Sequence, residues 1–333
     1  MPGPAASLPA APAQEPGRVV PAVPTLLRSN FAVLIPAYNE VENVAALHRA
    51  LAETFARHDL HGEVILVDDG SSDGTYAAAL QAFSTFPRAR VLRHRRNLGK
   101  TEAMVTAARA AESEYVILFD ADLQHSTEEF PRFLAKLAEG WDIVTGRKVG
   151  AYEKRAVSSV YNGLSQRLFD VPVRDLNSMK AFRREILDEM ALRHDWHRFF
   201  VVLAHARGYS VTELDIELFA RHAGVAKYSG RSRILVGVGD LLVVWFYLKF
   251  SAKPMQFFGG TGLAIILLGL LVGLVTVGLR LGGWMPPFGY RPLLTFVALL
   301  ETIGFLLFGF GFIAELIATL RTELDEVRER VRR

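Results

Sequence analysis

The chain has 333 residues and no cysteine, which excludes disulfide bonds, thiolate metal sites and a cysteine nucleophile. Its net charge is only +3 and it has no long Lys/Arg run, which argues against nucleic-acid binding. The hydrophobic share is 50% and is concentrated after residue 234, which predicts a soluble part followed by a membrane part.

The first 28 residues are rich in proline and alanine and lack the continuous apolar core of a secretory signal. We expect a disordered tail there. A catalytic domain is then predicted over 29–230, juxtamembrane interfacial helices over 231–256, two transmembrane helices over 257–320 and a charged tail over 321–333.

Short apolar runs alternate with helical patterns in the predicted catalytic domain. The apolar runs lie at 31–36, 63–67, 115–119 and 142–145. The helical patterns lie at 41–56, 75–83 and 100–111. This alternation is typical of an α/β fold with a mostly parallel sheet and helices on both faces, in which ligands bind at the carboxyl ends of the strands. Residues 211–218 alternate apolar and polar side chains and predict a late strand.

Two long apolar segments follow. Residues 259–279 contain no ionisable side chain, and at about 1.5 Å per residue they can cross a hydrocarbon core of roughly 30 Å. The second segment, 293–320, is interrupted by Glu301, which we expect to face protein rather than lipid. Gly269 and Gly273 either form a small-xxx-small helix contact or merely punctuate an apolar helix.

The preceding segment, 234–250, is shorter and carries Asp240 and Lys249, which favours an interfacial helix over a third span. Five arginines follow Leu320, whereas the loop between the spans offers two. The positive-inside rule therefore predicts an integral membrane protein with both termini and the catalytic domain in the cytoplasm.

Two carboxylates directly follow the apolar run 115–119. Asp120 and Asp122 are separated by one residue, and Gln124 adds an amide oxygen. Oxygen ligands of this kind suit Mg²⁺ or Mn²⁺, which keep coordination sites open for substrate phosphates. An isolated Asp-x-Asp is also compatible with a plain polar turn, so its interpretation depends on the other motifs.

Polar blocks also end the first two predicted strands, VLIPAYNE at 33–40 and VDDGSSDGT at 67–75. With the acidic pair, and in this order, they resemble the family 2 glycosyltransferases, which have the Rossmann-like A-type glycosyltransferase fold. The two predicted spans make the chain similar to the branch that contains dolichol-phosphate mannose synthases and bacterial polyprenyl-phosphate glycosyltransferases.

The resemblance implies a metal site at Asp120, Asp122 and Gln124 and a larger set of donor-binding residues. The predicted nucleotide-sugar contacts are Pro36, Tyr38, Glu40, Asp68, Asp69, Lys100, Asp120, Ala121, Arg221 and Lys227. Capping chemistry explains the neighbouring Ser72 and Asp73. Lys100 is equally compatible with an exposed helix start, and its NLGKT segment is not a P-loop because His94 replaces the first glycine of that motif.

In the lipid-phosphate branch, basic residues at positions matching Arg147 and Arg155 hold the acceptor phosphate, to which an arginine fork is well suited. A solvated charged face is the alternative for Arg155. The predicted catalytic residues are therefore Asp122, Arg147 and Arg155. Two departures, Ala226 before Lys227 and the lack of a glycine in 175–180, bear on the sugar and the acceptor.

The resemblance implies a metal-dependent, inverting transfer of a hexose from a nucleotide-diphosphate sugar, of GDP-mannose or UDP-glucose type, to a polyprenyl or dolichyl phosphate. We also expect a membrane partner and a possible homo-oligomer. A processive polysaccharide synthase is one alternative, but the Gln-x-x-Arg-Trp motif is missing because Arg precedes no tryptophan. An inactive membrane-bound binding protein is the other.

Overall fold

The computed structural model describes residues 21–149, 163, 168–169, 171–176, 178–190, 192, 196–220, 222, 232–251, 253–284 and 291–332. The chain divides into two compact units, Met1–Arg233 and Ile234–Arg333. They are referred to as the first unit and the second unit.

A seven-stranded sheet forms the centre of the first unit. Its strands are β1 (Phe31–Ala37), β2 (Glu63–Asp68), β3 (Ala89–Arg93), β4 (Tyr115–Leu118), β5 (Ile143–Val149), β6 (Lys180–Arg183) and β7 (Val211–Glu217). They lie in the order β3-β2-β1-β4-β6-β5-β7, and only β6 runs antiparallel to its neighbours β4 and β5. The predicted mostly parallel sheet is confirmed.

Helices connect and cover these strands. They are α1 (Val41–Arg57), α2 (Thr75–Ala82), α3 (Lys100–Ala110), α4 (Phe130–Ala138), α5 (Glu185–Glu189) and α6 (Phe200–His205). Short 3-10 helices lie at Thr25–Arg28, Phe83–Thr85, Thr127–Glu129 and Trp196–Phe199. In α1, Leu47, Leu51 and Phe55 recur at helical spacing and are buried against the sheet, which explains why this amphipathic segment is a helix.

The last three helices are α7 (Ser232–Phe250), whose first two residues belong to the first unit, and α8 (Pro254–Leu281) and α9 (Arg291–Arg332), which lie wholly in the second. Two stretches of the described residues, Pro254–Leu281 and Arg291–Leu324, are long and apolar enough to cross a membrane. Only 17% and 6% of their most apolar windows are buried, unlike the core helices of a soluble protein. The two predicted C-terminal apolar helices are therefore confirmed, and they indicate membrane association.

Close glycine contacts join α8 to α9. A Cβ at Gly262 would lie 2.6 Å from Gly304 O and 2.7 Å from Phe308 N, so backbone meets backbone there. Gly269 faces Glu301, whose Oε1 is buried and would lie 2.6 Å from a Cβ at Gly269. Glu301 thus faces protein, as predicted, although the backbone contact at Gly262 was not predicted from the sequence.

We expect Gly262→Ala to destabilise this helix pair, because the new methyl group meets backbone atoms that cannot rotate away. Overpacking of this kind costs about 1–3 kcal/mol. Gly260→Ala is the matched control, since a Cβ at Gly260 has no atom within 4 Å. Thermal unfolding in detergent should show a lower melting temperature for Gly262→Ala alone, and equal melting of both variants would contradict the packing described here.

Candidate active site

The loops that follow β1 and β2 are tied together at the carboxyl edge of the sheet. Asn39 N donates to Ser71 Oγ (2.8 Å), Glu40 N donates to Thr75 Oγ1 (2.8 Å), and Ser72 N donates back to Asn39 Oδ1 (3.0 Å). The two loops therefore form one rim, which carries the predicted nucleoside contacts Pro36, Tyr38 and Glu40, all half-buried.

Asp73 has the capping role expected of it. Its carboxylate accepts hydrogen bonds from Thr75 N (3.0 Å) at the start of α2 and from Val41 N (3.2 Å) at the start of α1. Burial raises the pKa of Asp73, but these hydrogen bonds outweigh burial, and the net pKa is lowered. Asp73 is therefore part of the support of the rim.

Asp69 organises the loop that leads into α3. Its Oδ1 accepts hydrogen bonds from His94 Nδ1 (2.7 Å) and Leu98 N (2.9 Å), and its Oδ2 accepts one from Gly99 N (2.8 Å). The loop passes so close to Gly70 that a Cβ there would lie 2.5 Å from the Arg96 carbonyl carbon, and Gly70 has a φ of +71°.

This arrangement favours a positioning role for Asp69. Asp68 is fully buried, with its Oδ2 3.2 Å from Arg93 Nε and its Oδ1 accepting a bond from Ser71 N (3.3 Å). Direct contact of either carboxylate with a nucleotide remains a prediction.

We expect Asp69→Ala to lower the free energy of unfolding by about 2–4 kcal/mol, because buried backbone N–H groups lose a charged acceptor. Binding of a nucleotide sugar should weaken as the start of α3 loosens. Asp188→Ala, at a carboxylate that is 49% exposed, is the matched control. Thermal unfolding and equilibrium donor binding measure both effects, and an Asp69→Ala variant indistinguishable from the control would exclude this role.

The acidic pair lies on a firmly held turn after β4. Phe119 is fully buried and packs edge-on against Phe130, with ring centroids 5.3 Å apart, which fixes the chain just before Asp120. Leu123 has a φ of 56°, in a left-handed region that costs a non-glycine residue about 1–3 kcal/mol. Backbone strain of this kind is common at functional sites.

Lys100 and Asp120 form an ion pair at this turn. Lys100, the first residue of α3, places its Nζ 2.5 Å from Asp120 Oδ1, and the two side chains are 32% and 40% exposed. Burial acts to raise the pKa of Asp120, but the Lys100 ammonium outweighs burial and holds that pKa far below its usual range. Asp120 is therefore ionised and still partly accessible.

The donor set on this turn has the chemistry that a divalent metal ion takes, although its carboxylates number only two. No group of three His, Cys, Asp or Glu side chains within the described ranges is arranged to hold one. The available set is the ionised Asp120, Asp122 and the Gln124 amide, all hard oxygen ligands. Asp122 is 8% exposed and its Oδ1 accepts a bond from Gln124 N (3.2 Å). A site with so few protein ligands suits a cation that also takes ligands from substrate phosphates.

A buried basic cluster that was not predicted from the sequence lies beside Asp120. Lys180, the first residue of β6, is 2% exposed, and its Nζ donates to Ser178 O (2.9 Å) and Leu176 O (3.3 Å). Burial lowers the pKa of Lys180 to about 7, with a further contribution from Lys100. The polar run 175–180 was the signal that could have identified it.

His125 and Lys148 complete this cluster. His125 is 6% exposed, and burial lowers its pKa to about 4, so the ring is neutral at pH 7. The Lys148 ammonium lies 3.5 Å from Asp175 Oδ2. Asp120 acts electrostatically on both His125 and Lys180, which places the cluster next to the acidic pair.

Arg147 is held across the sheet by Asp215. Its Nε and Nη2 donate to Asp215 Oδ1 (2.5 Å) and Oδ2 (2.7 Å), and the two residues are register partners on β5 and β7. The hydrogen bond to Asp215 raises the pKa of Arg147. The predicted contact with an acceptor phosphate remains a prediction, and it would use the other guanidinium donors.

The segment that follows β7 contacts the turn that carries Asp120 and Asp122. Phe219 N donates to Gln124 O (2.9 Å), and His222 N contacts Asp122 O (3.4 Å). Three predicted site residues, Arg155, Arg221 and Lys227, lie outside the described residues. Of the others, Lys100 and Asp120 are in direct contact, and Asp122 and Gln124 lie on the same turn, joined by a hydrogen bond.

Comparisons with known proteins show the family of this chain. The profile of the family described as glycosyl transferase family 2 matches residues 32–191. The dodecaprenyl-phosphate galacturonate synthase of Rhizobium johnstonii is 30% identical, over 86% of this chain and 87% of that protein. The undecaprenyl-phosphate 4-deoxy-4-formamido-L-arabinose transferase of Pectobacterium carotovorum is 31% identical, over 89% of this chain and 90% of that protein.

A solved structure shows the same fold. Glucosyl-3-phosphoglycerate synthase from Mycobacterium tuberculosis, crystallised with Mn²⁺, UDP and glucosyl-3-phosphoglycerate, aligns with a TM-score of 0.53 at 17% identity. The alignment covers 66% of this chain and 80% of that chain. Taken with the sequence relatives, the predicted family is confirmed, and the chain belongs to glycosyltransferase family 2 as a sugar-transferring enzyme with two apolar C-terminal helices.

Proposed function

We propose that this enzyme moves a sugar from a nucleotide-diphosphate donor to the phosphate of a polyprenyl lipid, and that it requires a divalent metal ion. The observation that carries the proposal is the pairing of two features in one chain. An ionised Asp120 beside Lys100 lies at the carboxyl edge of the sheet, and two apolar helices follow the first unit in the sequence. Relatives named for polyprenyl-phosphate sugar transfer match over 86% and 89% of the chain.

The proposed acceptor makes a dedicated general base unnecessary, because a lipid phosphate is already anionic near neutral pH. Its oxygen forms a bond to the anomeric carbon while the bond from that carbon to the donor phosphate oxygen breaks, and the nucleoside diphosphate leaves. Direct displacement of this kind inverts the anomeric configuration. The protein must align the two phosphates and stabilise the charge on the leaving group.

Different charged residues are proposed to act on the leaving diphosphate and on the acceptor phosphate. Asp120, Asp122 and Gln124 would hold Mg²⁺ or Mn²⁺, which supplies positive charge to the leaving diphosphate when bound. Lys100 adds a fixed positive charge at the same place. Arg147 is proposed to contact the acceptor phosphate, together with Arg155 from outside the described residues.

The site is proposed to face the cytoplasm, where nucleotide sugars are made, with both termini on that side, as the arginine distribution predicts. The relatives do not agree on a sugar. One is named for galacturonate and the other for a formamido-arabinose, so neither name decides which sugar this enzyme carries.

One assay tests the proposal. The purified chain is incubated with a panel of labelled nucleotide sugars, Mg²⁺ or Mn²⁺, and either polyprenyl phosphate or the corresponding polyprenol. Label should become extractable into organic solvent only with the phosphate, and excess chelator should stop its transfer. A water-soluble polymer formed without lipid phosphate would instead support a processive polysaccharide synthase.

A further inference from the structure

The basic cluster beside Asp120, which consists of Lys148, Lys180, His125 and Ser178, has unused hydrogen-bonding capacity. His125 and Ser178 are 6% and 7% exposed, and in the described part of the chain His125 Nδ1 and Ser178 Oγ have no hydrogen-bond partner. Buried polar atoms are normally paired, so two such atoms in one cluster point to a ligand.

The lysines in and beside this cluster differ in whether they have a carboxylate partner. Lys100 is paired with Asp120, and Lys148 lies 3.5 Å from Asp175. Lys180 differs, because its ammonium donates only to the carbonyl oxygens of Leu176 and Ser178 and has no ion-pair partner among the described residues. An ammonium group has three N–H donors, so one of them is unused among the residues that the structure describes.

Burial disfavours the charged form of a lysine that bonds only to carbonyl oxygens, so a ligand that brings a negative charge would stabilise the Lys180 ammonium. A deeply buried cluster is better suited to a small ligand group than to a bulky lipid headgroup. The position next to Asp120 limits which part of a substrate can reach the cluster. In the proposed function Asp120 lies at the donor diphosphate, and the sugar attached to that diphosphate is the group that reaches beyond it.

We propose that the basic cluster binds the donor sugar, and that Lys180 selects a sugar with a carboxylate at C6, a hexuronate, over the neutral hexose. This inference rests on the proposed function. His125 Nδ1 and Ser178 Oγ would pair with sugar hydroxyls, and the Lys180 ammonium would pair with the carboxylate. Lys180 is then a specificity-determining residue for the transfer.

Matched donors that differ only at C6 test the inference by equilibrium binding. The pairs are UDP-glucuronate and UDP-glucose, UDP-galacturonate and UDP-galactose, and GDP-mannuronate and GDP-mannose, with UDP and GDP alone as references. In at least one pair, the wild-type chain should bind the carboxylate donor about ten- to a hundredfold more tightly than the neutral one, as expected for a charge-assisted contact.

Lys180→Met should reduce this preference to about twofold or less while UDP or GDP alone binds as before. Lys136→Met, at a lysine on α4 that pairs with Glu139, is the control and should keep the preference. Thermal unfolding checks that each variant is folded. His125→Ala provides a second variant. It should bind both donors of the preferred pair more weakly and still prefer the donor with the carboxylate.

Three results would overturn the inference. They are neutral donors bound as tightly as carboxylate donors by the wild-type chain, an unchanged carboxylate preference in Lys180→Met, and a loss of UDP or GDP binding itself in that variant. If one of these results is found while a sugar is still transferred to polyprenyl phosphate, the proposed function stands and only this inference fails. If no nucleotide sugar binds, both fail.

Discussion

Asp122→Asn is expected to lower the turnover number by about a hundred- to a thousandfold, a loss typical of removing one preorganised charge contact to a leaving group. The substitution keeps the size of the side chain and an oxygen that can accept the bond from Gln124 N (3.2 Å). It removes one negative charge from the proposed metal site. The fold should therefore persist while stabilisation of the departing diphosphate is lost.

The measurement is turnover at saturating donor and lipid, with the melting temperature determined in parallel. Asp188→Asn changes an equivalent charge on an exposed side chain of α5 and should leave both values unaltered. Near-normal turnover by a folded Asp122→Asn variant, or wild-type activity that persists in excess chelator, would rule out the metal role of this turn.

Lys100→Met should reduce kcat/KM for the nucleotide sugar about ten- to a hundredfold, because a charge-assisted contact is lost in the transition state. The substitution should also change the pH dependence of kcat/KM. The pKa of Asp120 is depressed in the folded chain, so the stabilisation from its ionised form is lost only as pH falls through that low value. Without the ammonium the pKa of Asp120 rises, and the acid limb of the pH profile moves to higher pH.

A pH profile of kcat/KM for wild type and Lys100→Met measures this shift. Lys136→Met removes a lysine that is similarly exposed, at 33%, and should retain the wild-type profile. An acid limb at the same pH in all three proteins would contradict this prediction and show that the ionisation of Asp120 does not set the limb.

Most of the sheet was predictable because its central strands are continuous apolar runs. β1, β2 and β4 are almost entirely buried, and this burial is what an unbroken hydrophobic pattern reports. The strands β3 and β6 were missed for different reasons. β3 is a half-buried edge strand containing Arg90 and Arg93, whereas β6 has four residues and begins with a lysine.

The acidic turn and Lys100 were predictable because each directly follows a recognisable local pattern, a strand end or a helix start. The role of Asp69 was not, since its three hydrogen-bond donors lie 25 to 30 residues further along the chain. Lys180 was missed because its place beside Asp120 depends on β6 inserting antiparallel between β4 and β5, which no local periodicity reports.

In the second unit, too, some features were predictable from the sequence and others were not. The lengths of α8 and α9 follow from composition alone, because an uninterrupted apolar segment of this size is typical of a helix that crosses a bilayer. The helix contact was only partly predictable. Gly269 does face α9, but the backbone approach at Gly262 and Gly304 depends on the relative register of two helices, which the sequence of either helix does not specify.

The most direct test of the central claim is the stoichiometry of the sugar transfer over many turnovers. Purified enzyme in detergent is mixed with polyprenyl phosphate and the labelled donor that it prefers, and the lipid product is identified by mass spectrometry while released nucleoside diphosphate is counted. We predict one sugar on each lipid phosphate, one nucleoside diphosphate released for each sugar, and no product with Asp122→Asn. Several sugars on each lipid, or nucleotide release without a glycosylated lipid phosphate, would contradict the account.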